Sequence, residues 1–165
     1  MQYPAIITQE GKQTLAEFPD CPGCQTFADS GEDILDLAQE ALRSWLEVHL
    51  EDGAVPPRPT VRQRWPRGAT ILLVPVPAKL AVALCVRWAR QEAGLSQAEL
   101  AKKMGVSQQQ AAKLEQPETN PSVETLAKVA RALERTVDLQ LVPAAHVFRA
   151  AKRRPGAAKR EAARR

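Results

Sequence analysis

Apolar and polar positions change period along the chain, and each change marks an element. Tyr3 to Thr8 (YPAIIT) is short, aromatic and β-branched, the signature of a strand. Glu10-Gly11-Lys12 supplies a turn, and Gln13 to Phe18 alternates apolar with polar residues as a hairpin partner. Pro19 to Gly23 breaks the chain, and Gln25 to Ala28 reads as a brief third strand. Ile34, Ala38, Ala41, Leu42, Trp45 and His49 then recur at three- and four-residue spacing, one stripe of a helix. Ser30 is placed to cap it, Glu32 and Asp33 suit the positive end of its dipole, and Asp52-Gly53 ends it. His49 closes the stripe as a core-edge histidine rather than a ligand. Val55 to Gly68, with four prolines and no period, is a connecting loop. Ala69 to Val76 reads as a buried strand. The order β-β-β-α-β implies one small sheet layered on one helix, an α+β unit.

From Lys79 the period is helical throughout. Leu80, Leu84 and Trp88, with Val82 and Val86, make an apolar face on a helix over 79–93; Arg87 and Arg90 read as polar positions and Cys85 as a small apolar one. Gly94 ends it. Leu95 to Glu115 (LSQAELAKKMGVSQQQAAKLE) then reads as two short helices about a tight turn. Ser96 with Glu99, and Ser107 with Gln110, have capping-box spacing, and Gly105 stands where a helix stop needs positive φ. Leu95, Leu100, Val106, Ala111 and Leu114 can share one core, while Ala101 and Ala111 allow close crossing. Gln108, Gln109, Gln110 and Lys113 remain outward on the second helix. Glutamine pairs with the N6 and N7 edge of adenine, and lysine neutralises phosphate. These 21 residues have the form of a helix-turn-helix, with a solvated helical hairpin as the alternative.

This stretch resembles the Cro/repressor-type helix-turn-helix family through Leu95-Ser96-Gln97, Leu100-Ala101, Gly105-Val106-Ser107 and Leu114-Glu115. The resemblance implies that Gln97 lies at the DNA backbone and braces the second helix, and that Gln108 and Gln109 reach base edges. With Ser107, Gln110 and Lys113, and with Thr119 and Asn120 of the following loop near phosphates, these form the candidate DNA-binding set. Ser122 caps a fourth helix carrying Val123, Leu126, Val129, Ala130 and Leu133. Thr136 to Val142 alternates as a half-buried strand, which needs a partner: the same strand of a second chain, or its own domain.

Charge separates the two parts. Residues 1–60 hold 11 Asp and Glu against 3 Lys and Arg, a net −8; residues 61–165 hold 20 Lys and Arg against 8 Asp and Glu, a net +12. The basic part suits a polyanion and the acidic part a basic protein. No apolar run is long enough to cross a membrane and the N-terminus lacks a secretory pattern, so a cytoplasmic protein with no membrane partner is expected. Three cysteines argue against a disulfide framework. The tail from His146 is rich in Ala, Arg and Lys, and is either a mobile source of non-specific DNA affinity or a solubilising tail.

A second resemblance covers residues 1–76. Tyr3-Pro4-Ala5, Phe18-Pro19-Asp20-Cys21-Pro22-Gly23-Cys24 and the Glu32-Asp33, Ala38, Glu40-Ala41-Leu42 helix look like the HicB family, with Cys21 where that family has an apolar residue. The resemblance implies an antitoxin of a type II toxin–antitoxin module. Its N-terminal domain would have a partial ribonuclease-H-like fold and mask a small basic toxin that cleaves mRNA. Its C-terminal domain would bind the module's operator. The division expected is residues 1–76 for the toxin-binding domain, 77–143 for the all-α helix-turn-helix domain, and 144–165 for a disordered basic tail. A homo-oligomer, dimer or tetramer, is expected on DNA. Cys21 and Cys24 also have the spacing of a redox pair or half a zinc site, but no further ligands stand at zinc spacing. The acidic residues of the first part cluster at turns and a helix start, not on one strand face as two-metal catalysis needs. The expectation is therefore a binding protein without cofactor or metal, not an enzyme. Two alternatives are a stand-alone regulator with an N-terminal sensing or oligomerisation domain, and a nuclease.

Overall fold

A computed structural model of the chain describes residues 1–60, 65–66, 68–141 and, for the backbone, 146–149. The N-terminal strands are β1 (Gln2–Glu10), β2 (Gln13–Glu17) and β3 (Gln25–Ala28), followed by helix α1 (Ile34–Glu51) and strand β4 (Thr70–Pro75). Then come helices α2 (Ala78–Glu92), α3 (Gln97–Met104), α4 (Gln108–Lys113) and α5 (Val123–Ala132), and strand β5 (His146–Arg149). The sheet is antiparallel in the order β3-β2-β1-β4-β5.

Alternation along the strands decides which sheet face is buried. Tyr3, Ala5, Ala16, Leu72 and Val74 join Ala38, Leu42, Leu46 and Leu50 of α1 in one core. Helix α1 starts at Asp33, whose side chain accepts from the Leu35 N–H at 2.8 Å, and not at Ser30. Gly31 between them has φ +99° and holds the chain in a turn, which a helix cannot enter. The buried stripe also runs through Leu46 and Leu50, while Trp45 and His49 lie on its flank, half-buried and stacked with ring centroids 3.6 Å apart.

Helix α2 belongs to two cores. Leu80, Ala83, Leu84 and Trp88 pack into the core of the sheet and α1. Val86, with Val82 and Ala89 beside it, packs with Leu100, Leu114, Val129 and Leu133 of the helical part. Cys85 falls between these contacts and is exposed, contrary to the sequence expectation. Val123 likewise proves exposed, at the very start of α5.

The proline-rich loop is fastened at several points. The Tyr3 hydroxyl donates to the Pro57 carbonyl at 2.6 Å, and the Trp88 indole N–H to the Pro56 carbonyl at 2.7 Å. Thr60 donates through its N–H and its hydroxyl to the two Asp20 carboxylate oxygens, at 2.8 and 2.7 Å. These bonds satisfy polar groups that the loop carries over the core.

Residues 136–141 do not form the strand that their alternation suggests. They have no regular structure and are exposed, Leu141 fully so. Half-burial along an alternating run needs a second surface, and the described part of the chain provides none there. The strand of this region is β5, whose residues 146–149 open the stretch that composition assigns to the tail. It pairs with the open edge of β4, matching His146 to Leu73 and Arg149 to Thr70. The remaining tail, 150–165, lies outside the described residues.

Candidate nucleic-acid interface

The two helices of the turn motif form where local chemistry places them. Ser96 caps α3: its hydroxyl accepts from the Glu99 N–H at 3.2 Å, and the Glu99 carboxylate accepts from the Ser96 N–H at 2.7 Å. Ser107 and Gln110 repeat this at α4, at 3.2 and 3.0 Å. Gly105 ends α3 in the left-handed region, with φ +68°. Leu100 and Ala101 of α3, and Ala111 and Leu114 at α4, are buried. The interhelical angle is thus set by small and branched apolar residues on facing sides.

A buried polar cluster locks this pair to α2. Glu115, just after α4, is 1% exposed. Arg90 forms a two-point ion pair with it: Nε donates to Oε1, and Nη2 donates to Oε2 at 2.9 Å. Arg87 Nε and Gln97 Nε2 also donate to Oε2, at 3.3 and 3.1 Å. Burial raises the Glu115 pKa, but the hydrogen bonds from Arg90 and Gln97 and the charges of Arg90 and Arg87 outweigh it, so the carboxyl lies below its ordinary range. Arg87 also reaches the other part of the molecule, where Nη1 donates to the Leu50 carbonyl at 2.9 Å and the Ala54 carbonyl at 2.7 Å.

The residues singled out for DNA contact divide into two groups. Gln108, Gln109, Lys113 and Asn120 are exposed. Ser107 and Gln110 are exposed too, but their side chains are engaged in the α4 cap. Gln97 is half-buried and bonded to Glu115, so it does tie the start of α3 to the end of α4. The Thr119 hydroxyl donates to the Lys113 carbonyl at 2.5 Å and closes the C-terminal end of α4. Arg87, Arg90 and Glu115 as a buried set were not anticipated. Their one local signal is a charged residue directly after the apolar Ala111 and Leu114, where a solvated helix end would be unremarkable.

The cysteine turn holds no exposed thiol pair. The Cys24 N–H donates to the Cys21 carbonyl at 2.9 Å, and the Phe18 N–H to the Cys24 carbonyl at 3.1 Å, which makes 18–24 a closed turn. Both thiols are buried and free, and burial pushes them up to about 12 for Cys21, with the neighbouring Cys24 and Asp20 adding to it, and about 11 for Cys24. A thiol so far protonated at neutral pH is a poor nucleophile and a poor metal ligand. Among the described residues no group of three or more His, Cys, Asp or Glu is placed to hold a metal ion. No helix among them is long and apolar enough to cross a membrane.

A helix-turn-helix packed on α2, a helix that also packs into the core of a small antiparallel sheet, defines a DNA-binding module joined to an α+β unit. Family comparisons match the two parts separately. Residues 3–69 match the family described as HicB-like antitoxin of bacterial toxin–antitoxin systems, and residues 86–140 match the helix-turn-helix family. Two curated proteins of Photorhabdus laumondii subsp. laumondii are similar over most of their length. Antitoxin HicB 1 is 30% identical over 86% of this chain and 87% of its own. Antitoxin HicB 2 is 26% identical over 84% of this chain and 95% of its own. The chain belongs to the HicB family of antitoxins of toxin–antitoxin systems, with a C-terminal helix-turn-helix.

Proposed function

We propose that this antitoxin neutralises a small, basic, mRNA-cleaving toxin by direct binding through residues 1–76, and represses its own operon through residues 77–143. The observation that carries the reading is the joining of the two parts: a HicB-like unit of net negative charge, and a helix-turn-helix that leaves Gln108, Gln109 and Lys113 exposed. Opposite charges would speed encounter with each partner and discourage the wrong pairing. The β-β-β-α-β order, with α1 on one sheet face, supports the partial ribonuclease-H-like fold that the family resemblance implies. The protein acts by covering and gripping rather than by catalysis, in the cytoplasm, and needs no cofactor.

On DNA, Gln108 and Gln109 read base edges in the major groove, Lys113 and Asn120 meet phosphates, and Ser107, Gln110, Gln97 and Thr119 hold the helix that presents them. Two chains bind a two-fold operator, joined through the exposed apolar side chains of Val137, Leu139 and Leu141. One experiment tests both halves. The full chain is co-expressed with the product of the adjacent reading frame, and the purified material is titrated against the upstream DNA in gel shift, with light scattering of the complex. Co-purification, growth rescue and two or four antitoxin chains per operator are expected. Gln108→Ala combined with Gln109→Ala should cost about 1–3 kcal/mol of operator binding for each lost bidentate contact, with co-purification unaffected. Unchanged operator affinity in that double variant would overturn the base-reading assignment.

A further inference from the structure

Between the Cys21–Cys24 turn and one flank of α1 lies an open groove of about 370 Å³. Its walls are Gly23 and Cys24 on one side and Ala41, Trp45, Val48 and His49 on the other. The helical residues lie outside the stripe that packs on the sheet, which runs through Ala38, Leu42, Leu46 and Leu50. They form a second apolar face of the same helix, turned outward. Val48 is 53% exposed, and Trp45 keeps its ring at the surface of the core, stacked on His49. The stack is fixed by the His49 Nδ1–H, which donates to the Trp45 carbonyl at 2.7 Å. A core needs no such face, since α1 already buries its other side.

What surrounds the groove points to its occupant. Glu47 and Glu51 lie at helical spacing along the ridge of α1 that carries Ser44, and Ser44 itself lines the groove. Arg43, the helix's lone arginine or lysine, lines a separate hollow with Asp36, Gln39, Glu40, Pro75 and Pro77. The groove therefore offers an apolar floor with an aromatic ring and an acidic rim, within a segment of net −8. A side chain that fits is itself apolar or aromatic, carried by a protein surface rich in Lys and Arg. Such a pairing is how a small interface concentrates its affinity: one anchored, desolvated side chain ringed by charge complementarity.

We propose that this groove is the anchoring site for the basic toxin, with Trp45 and Val48 as the contact floor and Glu47 and Glu51 as the electrostatic rim. The assignment rests on the reading of the chain as the antitoxin of a basic toxin. The test uses the full-length chain and the purified small protein encoded by the adjacent reading frame, mixed in calorimetry. Val48→Arg places a long cationic side chain at an exposed helical position, and should weaken binding about tenfold or more with an unchanged melting temperature. Ser30→Arg adds the same charge at an exposed turn residue away from the groove, and should stay within about twofold of the parent. Glu47→Gln with Glu51→Gln should slow association and flatten its salt dependence. Binding of Val48→Arg equal to that of the parent, or an equal loss in Ser30→Arg, overturns the groove while leaving the antitoxin reading in place. A parent chain that does not bind the adjacent product overturns both.

Discussion

Glu115 is a carboxylate removed from water, and it stays charged because four N–H donors from Arg87, Arg90 and Gln97 replace its hydration. Its pKa is depressed in the folded state, so its contribution to stability is present above the ordinary glutamate pKa. That contribution is lost as pH falls through the lower, folded value. The helical part should therefore lose stability as pH falls below the ordinary glutamate pKa. Glu115→Gln leaves two arginines close together without their counter-charge and should cost about 3–5 kcal/mol in urea denaturation at pH 7. The stability of the variant should also fall less steeply as pH drops below the ordinary glutamate pKa. A parent-like acid slope in the variant would remove Glu115 from this role. None of this was legible locally. Arg87 and Arg90 are polar positions on an amphipathic helix, and such positions usually meet solvent. Only the arrival of the end of α4 beside them turns solvated cations into a buried ion cluster.

At the scale of elements, the turn motif could be read directly because its determinants are neighbours in sequence. Two capping boxes and a glycine at φ +68° depend on residues at most three positions apart. Gly105→Ala would place a Cβ in open space, so its cost is that of the left-handed backbone alone, about 1–2 kcal/mol. A shift of the denaturant midpoint of that size, with an unchanged m-value, is the expected result. No shift would mean that the turn does not need its left-handed residue. Boundaries set by competition were less legible. Ser30 and Asp33 are both good caps, and the left-handed Gly31 decides for Asp33. Residues 136–141 alternate as a strand does, but alternation states only that one face wants burial, not that a surface is there to bury it. The edge of β4 is instead met by β5, from a stretch whose composition is that of a solvated tail.

The molecule as a whole is divided by charge but not by packing. Helix α2 contributes Leu80, Leu84 and Trp88 to the sheet's core and Val86 to the helical core, and Arg87 bonds both Glu115 and the end of α1. A fragment of residues 1–76 thus loses three large buried side chains, each worth about 1.5–3 kcal/mol. Against a total stability of about 5–15 kcal/mol, such a loss removes most of the folding free energy. The fragment should show no cooperative thermal transition by circular dichroism, whereas a fragment of residues 1–141 should melt cooperatively. Cooperative melting of 1–76 near the temperature of the parent would show that α2 is dispensable to the first core.

What the chain's order of residues determined by itself was everything that short-range chemistry specifies: strand and helix periods, the caps and glycine of the turn motif, the opposite charges of the two parts, and the motifs shared with the HicB and helix-turn-helix families. What the tertiary structure alone decided was how distant residues meet. It made one helix common to two cores, buried Glu115 between two arginines, fastened the proline-rich loop to Trp88 and Tyr3, and turned Trp45 and Val48 outward. The physical reason is range. Hydrogen bonds along the backbone and side-chain periodicity act over a few positions, whereas burial and charge pairing depend on which surfaces the folded chain brings together.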